Sequence, residues 1–210
     1  MREQGKLITL EGCEGVGKST QIRMLQAYLD EAGCETLFVR EPGSTSIGER
    51  IRALLIDPSH RDMHARCEAL LYCAARAQMI ESVVRPALRR GTIVVCDRFI
   101  DSTYAYQGIA RNLGGEAIAA LNRFACDDIA PDLTFFLDLP PEQGFRRKGG
   151  ADVADRMEGE ALAFHQDVYR GYCAAAEREP QRIVRIDASA DAQSIHAQIV
   201  QCLRARGIVR

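Results

Sequence analysis

The sequence predicts an α/β protein, a three-layer α/β/α arrangement built on a five-stranded parallel sheet. Three observations carry that expectation. Apolar, β-branched runs alternate with longer stretches of helical period, the pattern of strand–helix–strand units joined by right-handed crossovers. Several runs are apolar throughout, as strands are when helices cover both faces. Between the first run and the first helical stretch lies Gly12-Cys13-Glu14-Gly15-Val16-Gly17-Lys18-Ser19-Thr20, which fits the pattern Gly, four residues, Gly-Lys-Ser/Thr.

The first strand, at 6–11, carries Leu7-Ile8-Thr9-Leu10, and the helix at 18–32 sets Ile22, Leu25 and Leu29 on one side. Between them, glycines that tolerate φ > 0 curl the backbone so that free N–H groups converge on a polyphosphate at the helix N-terminus. Lys18 adds a point charge for the β- and γ-phosphates, and the Ser19 hydroxyl a ligand for Mg²⁺. Further strands are predicted at 36–40, 92–97, 133–139 and 182–187, with helices at 46–55, 65–89, 115–126, 158–178 and 192–206. The glycine- and charge-rich stretch 146–159 reads as a mobile lid loop. No repeat or linker divides the 210 residues, which predicts a single domain over 1–210.

Hydrophobic content of 47% and charged content of 27% are those of an ordinary globular chain. A formal net charge of −2 argues against a polymeric nucleic-acid or membrane partner, and no apolar run approaches the ~20 residues that span a bilayer. Residues Met1 to Lys6 carry no secretory apolar region, so a cytoplasmic location is expected. None of the eight cysteines forms a Cys-x-x-Cys pair, which argues against zinc and predicts free, mostly buried thiols. Cys13 is the exception: beside Lys18 and a helix N-terminus it is expected to favour the thiolate, so that its modification blocks ATP binding.

In an open parallel sheet, ligands gather at the carboxyl ends of the strands. After the second strand, Arg40-Glu41-Pro42-Gly43 turns the chain back over the loop, and Arg52 follows on a short helical pattern. Tyr72 and Arg76, four residues apart, share a helix face. They fit two sides of a base pocket, and equally a core tyrosine beside a surface arginine. The strand Ile93-Val94-Val95-Cys96 ends in Asp97-Arg98, a carboxylate suited to orienting Mg²⁺ and a guanidinium suited to a second phosphoryl group. Ser102-Thr103-Tyr104-Ala105-Tyr106-Gln107-Gly108 adds hydrogen-bonding and aromatic groups for a sugar and base. Phosphoryl transfer to an ionised acceptor needs alignment and charge neutralisation but no general base, and the four histidines form no Ser/His/Asp-like set. Arg146, Arg147, Lys148 and Arg156 on the lid can close over the transferring group and exclude water.

Taken together with Pro131-Asp132-Leu133-Thr134 and Asp155-Arg156-Met157-Glu158, these motifs resemble the bacterial thymidylate kinases, within the phosphate-loop nucleoside monophosphate kinases. The resemblance covers nearly the whole chain. It implies the phosphate-loop kinase fold and ATP- and Mg²⁺-dependent phosphorylation of dTMP to dTDP for dTTP synthesis. By position, Gly12 to Thr20 would hold ATP, and Ser19 and Asp97 the metal. Arg52 and Arg98 would hold the dTMP phosphate, Arg76 and Thr103 would read the thymine edge, and Gln107 would assist. Tyr72 would stack on the base, Tyr106 would crowd the 2′ position, and Glu14 would sit near the 3′-hydroxyl or the phosphate network. Glu41 and Pro42 would complete the dTMP site. A homodimer through the long helix is also implied.

The loop has no arginine of its own, which resembles the subtype whose lid supplies the catalytic cation; Lys18, Arg98, Arg147, Lys148 and Arg156 are the catalytic candidates. Gly149, Gly150 and Ala151 stand where the family carries further arginines, so Arg147 or Lys148 takes that role. Another nucleoside or nucleoside-monophosphate kinase of the same fold is the nearest alternative. A GTPase-like switch is disfavoured, because Asn112 and Asn122 are followed by Leu113 and Arg123 and open no Asn-Lys-x-Asp segment.

Overall fold

The computed structural model describes residues 5–149 and 155–209. Its strands are β1 (Leu7–Glu11), β2 (Thr36–Arg40), β3 (Ile93–Asp97), β4 (Leu133–Asp138) and β5 (Ile183–Asp187). All pair in parallel, in the order β2-β3-β1-β4-β5, with Thr9 opposite Cys96 on one side and Thr134 on the other. The strand order therefore reverses beside β1, at the crevice where a ligand is expected.

Helices α1 (Lys18–Glu31), α2 (Ser46–Ile56) and α3 (Ala65–Met79) follow the sequence periodicity. The long third stretch is not uniform. It passes through a π-helical segment, Ile80–Val84, before α4 (Arg85–Arg90), immediately ahead of Pro86, which has no N–H to continue an α ladder. Next come α5 (Ile100–Thr103), a second π-helical segment at Tyr104–Ala110, α6 (Gly115–Cys126), α7 (Pro141–Lys148), α8 (Leu162–Arg178) and α9 (Ala192–Ala205).

The strands divide their side chains between two cores by simple alternation. Ile8, Leu10, Ile93 and Val95 pack with Leu25 and Leu29 of α1, Val168 and Tyr172 of α8, and Ile199 of α9. Leu7, Val94 and Cys96 face the other way, onto Met79, Ile80, Val84 and Leu88. A sheet covered on both faces leaves only its strand ends and the turns beyond them for chemistry.

Two expectations are corrected. Residues 146–148 are not loop but the last turn of α7, which Gly149 ends at φ 83°. The helix expected from 158 starts at Leu162, after a turn in which Asp155 Oδ1 accepts from the N–H groups of Met157 and Glu158 at 2.8 Å. The centre of the expected lid, 150–154, lies outside the described residues, as do the first four residues and the last.

Candidate active site

The turn from β1 into α1 forms one end of the site. Gly15 has φ 72°, and a Cβ there would lie 2.1 Å from the Gly144 carbonyl oxygen, so backbone conformation and the packing of α7 both demand glycine. Helix α1 starts after Gly17 with no side-chain cap, whereas Thr45 and Asp191 cap α2 and α9. Its first N–H groups are left for an anion, which the helix dipole also favours. Lys18 is buried and folds back over the loop, its Nζ donating to the carbonyls of Gly12 (3.0 Å) and Cys13 (2.8 Å).

Cys13 and Val16 turn their side chains into the core, each 1% exposed, and offer the site only backbone. Burial pushes the Cys13 thiol up to about 12, and Lys18 and Arg98 do not reverse it. This corrects the expected reactive thiolate: desolvation outweighs both neighbouring cations. All eight cysteines are free; Cys13, Cys73, Cys96 and Cys126 are buried, Cys34, Cys173 and Cys202 are half-buried, and Cys67 is exposed.

Asp97 closes β3 with its Oδ1 buried and without a hydrogen-bond partner among the described residues. It lines the same cleft as Ser19. An unpartnered carboxylate oxygen and a nearby hydroxyl fit Mg²⁺, which takes one or two protein ligands and keeps phosphates and waters for the rest.

Arg98 stands between the two ends of the cleft. Its Nη1 donates to Gly12 O (3.0 Å) and to the Tyr172 hydroxyl (2.9 Å), and its Nη2 pairs with Glu14. Burial works to raise the Glu14 carboxyl, but Arg98 and then Lys18 prevail and hold it at about 2. Arg98 is thus anchored to the loop between β1 and α1 itself.

At the far end, Arg76 is 1% exposed rather than a surface arginine. Its Nε lies 2.9 Å from both Glu41 oxygens, Nη1 donates to Asn122 Oδ1 (2.6 Å) and Nη2 to Thr103 Oγ1 (2.8 Å). Glu41 and Pro42, expected at dTMP, both line the cleft, and the Glu41 carboxylate is paired with Arg76. Gln107 Nε2 donates to Glu68 Oε1 at 2.8 Å, and Arg52 Nη1 to Pro42 O at 3.1 Å. Tyr72, Arg76, Thr103, Tyr106 and Gln107 line a cleft of about 510 Å³ that runs on to the loop residues 14–20.

Of the loop residues and lid cations singled out from sequence, Gly12, Cys13, Arg146 and Arg156 do not line this cleft. Arg156 is buried beside it, Nε on Leu55 O at 2.9 Å and Nη1 2.7 Å from Glu68. Arg147 lines the cleft but donates to the carbonyls of Ala188 (2.7 Å) and Ser189 (3.1 Å), and Lys148 Nζ lies 2.7 Å from Glu158. Sequence reasoning missed Glu68, Asn122, Tyr172 and His165. For Glu68 a signal existed: it precedes Tyr72 by four residues and Arg76 by eight, on the same helix face.

A family model described as thymidylate kinase matches residues 10–199. The chain is 46% identical to the thymidylate kinase of Chlorobaculum parvum, covering 95% of each chain. It is 46% identical to that of Alkalilimnicola ehrlichii, over 95% of this chain and 93% of the relative. With that of Exiguobacterium sp. the identity is 44%, over 93% and 92%.

Proposed function

The chain belongs to the thymidylate kinase family, and on that premise we propose that its cleft transfers the γ-phosphoryl group of ATP directly, in line, to dTMP, giving dTDP for dTTP synthesis. One observation carries the reading. A single cleft joins an uncapped, lysine-bearing helix terminus to a buried pocket of Arg76, Thr103, Gln107 and Tyr72, with Arg98 between them. The polyphosphate end takes the donor. The buried end takes a flat, hydrogen-bonding base, with Tyr72 as its stacking face.

Arg98 and Arg52 hold the acceptor phosphate, and Tyr106, buried against Phe164 and Tyr172, forms the wall that favours deoxyribose. Glu14, kept ionised by Arg98, faces the sugar or the phosphate network. Mg²⁺, held by Asp97 and Ser19, supplies charge neutralisation between the donor phosphates when bound. Lys18 and Lys148, both lining the cleft, meet the charge that develops on the transferring group, while Arg147 walls the donor end and Arg156 braces the acceptor side.

No helix among the described residues is long and apolar enough to cross a membrane. A homodimer is supported by exposed apolar side chains on packed helices, Leu70 of α3 (56% exposed) and Phe124 of α6 (89%). The deciding experiment is turnover of a panel of nucleoside monophosphates and nucleosides with ATP and Mg²⁺. Turnover of dTMP well above the others is expected. No turnover of dTMP would overturn the reading, and faster turnover of another monophosphate would favour a different kinase of the same fold.

A further inference from the structure

β1 ends in Glu11, a carboxylate with no exposed surface that the chemistry above does not use and that does not line the cleft. Its Oε1 accepts from the Phe99 N–H at 2.7 Å. Its Oε2 accepts from Ser102 Oγ at 2.6 Å and from the Tyr172 hydroxyl at 3.1 Å. These two hydroxyls lie 2.7 Å apart, and the Tyr172 oxygen in turn accepts from Arg98 Nη1 at 2.9 Å. A continuous chain of hydrogen bonds therefore runs from the interior of the sheet to the guanidinium between the two ends of the cleft.

Arg98 has reason to need such support. Its φ is 68°, the left-handed conformation that is unfavourable for a residue with a Cβ. The Glu11 bond to the Phe99 N–H fastens the very next peptide unit, so one carboxylate braces both the backbone and the side chain of Arg98. Burial, then the charge of Asp101, push the Glu11 carboxyl up from 4.5 to about 7, opposed by Ser102, Arg98 and the Phe99 N–H. Asp101 is itself matched by Arg182, whose two terminal nitrogens each lie 2.7 Å from its carboxylate. A carboxylate kept at such a desolvation cost is far more demanding than an apolar residue of the same shape.

We propose that Glu11 is a positioning residue which, through Tyr172 and Ser102, fixes the Arg98 guanidinium for the acceptor phosphate. This rests on the reading of Arg98 as the acceptor-phosphate ligand. Glu11 itself touches no substrate; it acts by limiting where Arg98 can point.

The test is a double-mutant cycle of Glu11→Gln and Tyr172→Phe, both near-isosteric, with KM and kcat measured for dTMP and for ATP beside the unmodified chain. Each single variant is expected to raise KM for dTMP about tenfold and leave KM for ATP within about twofold, and the double variant to resemble the singles, because both break one chain. A multiplicative rise of about a hundredfold in the double variant, an unmoved KM for dTMP, or an equal rise for ATP would each overturn the proposal. Should Glu11→Gln fail to fold, Tyr172→Phe and Ser102→Ala with their double carry the same comparison. An unmodified chain that does not phosphorylate dTMP defeats the functional reading itself; an active one whose variants are unmoved defeats only the role of Glu11.

Discussion

Arg76 and Glu41 are paired in the protein interior, their side chains 1% and 5% exposed, with the guanidinium Nε 2.9 Å from both carboxylate oxygens. The residue proposed to read the base edge is thus also half of a buried ion pair. Arg76→Ala should remove about 3–5 kcal/mol of unfolding free energy, because Glu41 is left charged and unmatched, in addition to weakening dTMP binding. Urea unfolding beside calorimetric titration with dTMP separates the two effects. A stability loss under about 1 kcal/mol would mean that Glu41 finds water once Arg76 is gone.

Glu14 gives the fold an acid limb. Its folded-state value of about 2 lies below the ordinary 4.5, so its contribution is complete above 4.5 and disappears as pH falls towards 2. The stability gap between the unmodified chain and Glu14→Gln should shrink by about 3 kcal/mol across that window. Denaturant midpoints measured at steps between those two pH values check it; a gap constant with pH would show that Arg98 does not hold the carboxylate.

Asp97→Asn keeps the shape of the strand end but removes the charge that suits Mg²⁺. Turnover should fall about 100-fold or more, with KM for dTMP little changed, and the Mg²⁺ concentration for half-maximal rate should rise. An unaltered Mg²⁺ dependence would remove Asp97 from the metal site.

Arg147, a catalytic candidate by sequence, donates to the carbonyls of Ala188 and Ser189, which favours the proposed role as a wall of the donor end. Arg147→Ala should raise KM for ATP several-fold and leave kcat near its original value, the signature of lost uniform binding. A fall in kcat with constant KM would instead make Arg147 a transition-state contact.

Thiol reagents should label Cys67 well before Cys13, since Cys67 is exposed and the Cys13 thiol is buried and held protonated. Mass spectrometry of briefly labelled protein reads the order directly. Rapid labelling at Cys13 that ATP prevents would restore the reactive-loop idea.

How much of this was legible beforehand depends on what each residue answers to. The five strands follow from runs such as Ile93 to Cys96, whose apolar content is local and periodic, and their bounds fall within a residue of expectation, whereas the helices expected at 65–89 and 158–178 were respectively interrupted and shortened by their local backbone. Helix α7 was not legible: Pro-Glu-Gln-Gly-Phe-Arg-Arg-Lys holds a single large apolar side chain and packs through a glycine. The π-helical segment carrying Tyr106 and Gln107 leaves no periodic trace, because one extra residue per turn breaks the spacing that periodicity detects. In the site, residues recognised by motif were largely found at the cleft. Glu68, Asn122, Tyr172 and Glu11 were not recognised, because their importance comes from partners 22 to 161 positions away.

The meeting of Gly15 and Gly144 has a consequence for how sequence can vary around the loop. An added Cβ on Gly15 would sit 2.1 Å from the Gly144 oxygen, and one on Gly144 would sit 2.1 Å from the Glu14 oxygen. Neither position can be rescued by a change at the other, since no residue is smaller than glycine and the obstructing atoms are backbone. Second-site suppressors of a substitution there must therefore act on the whole of α7, by shifting the helix away from the loop.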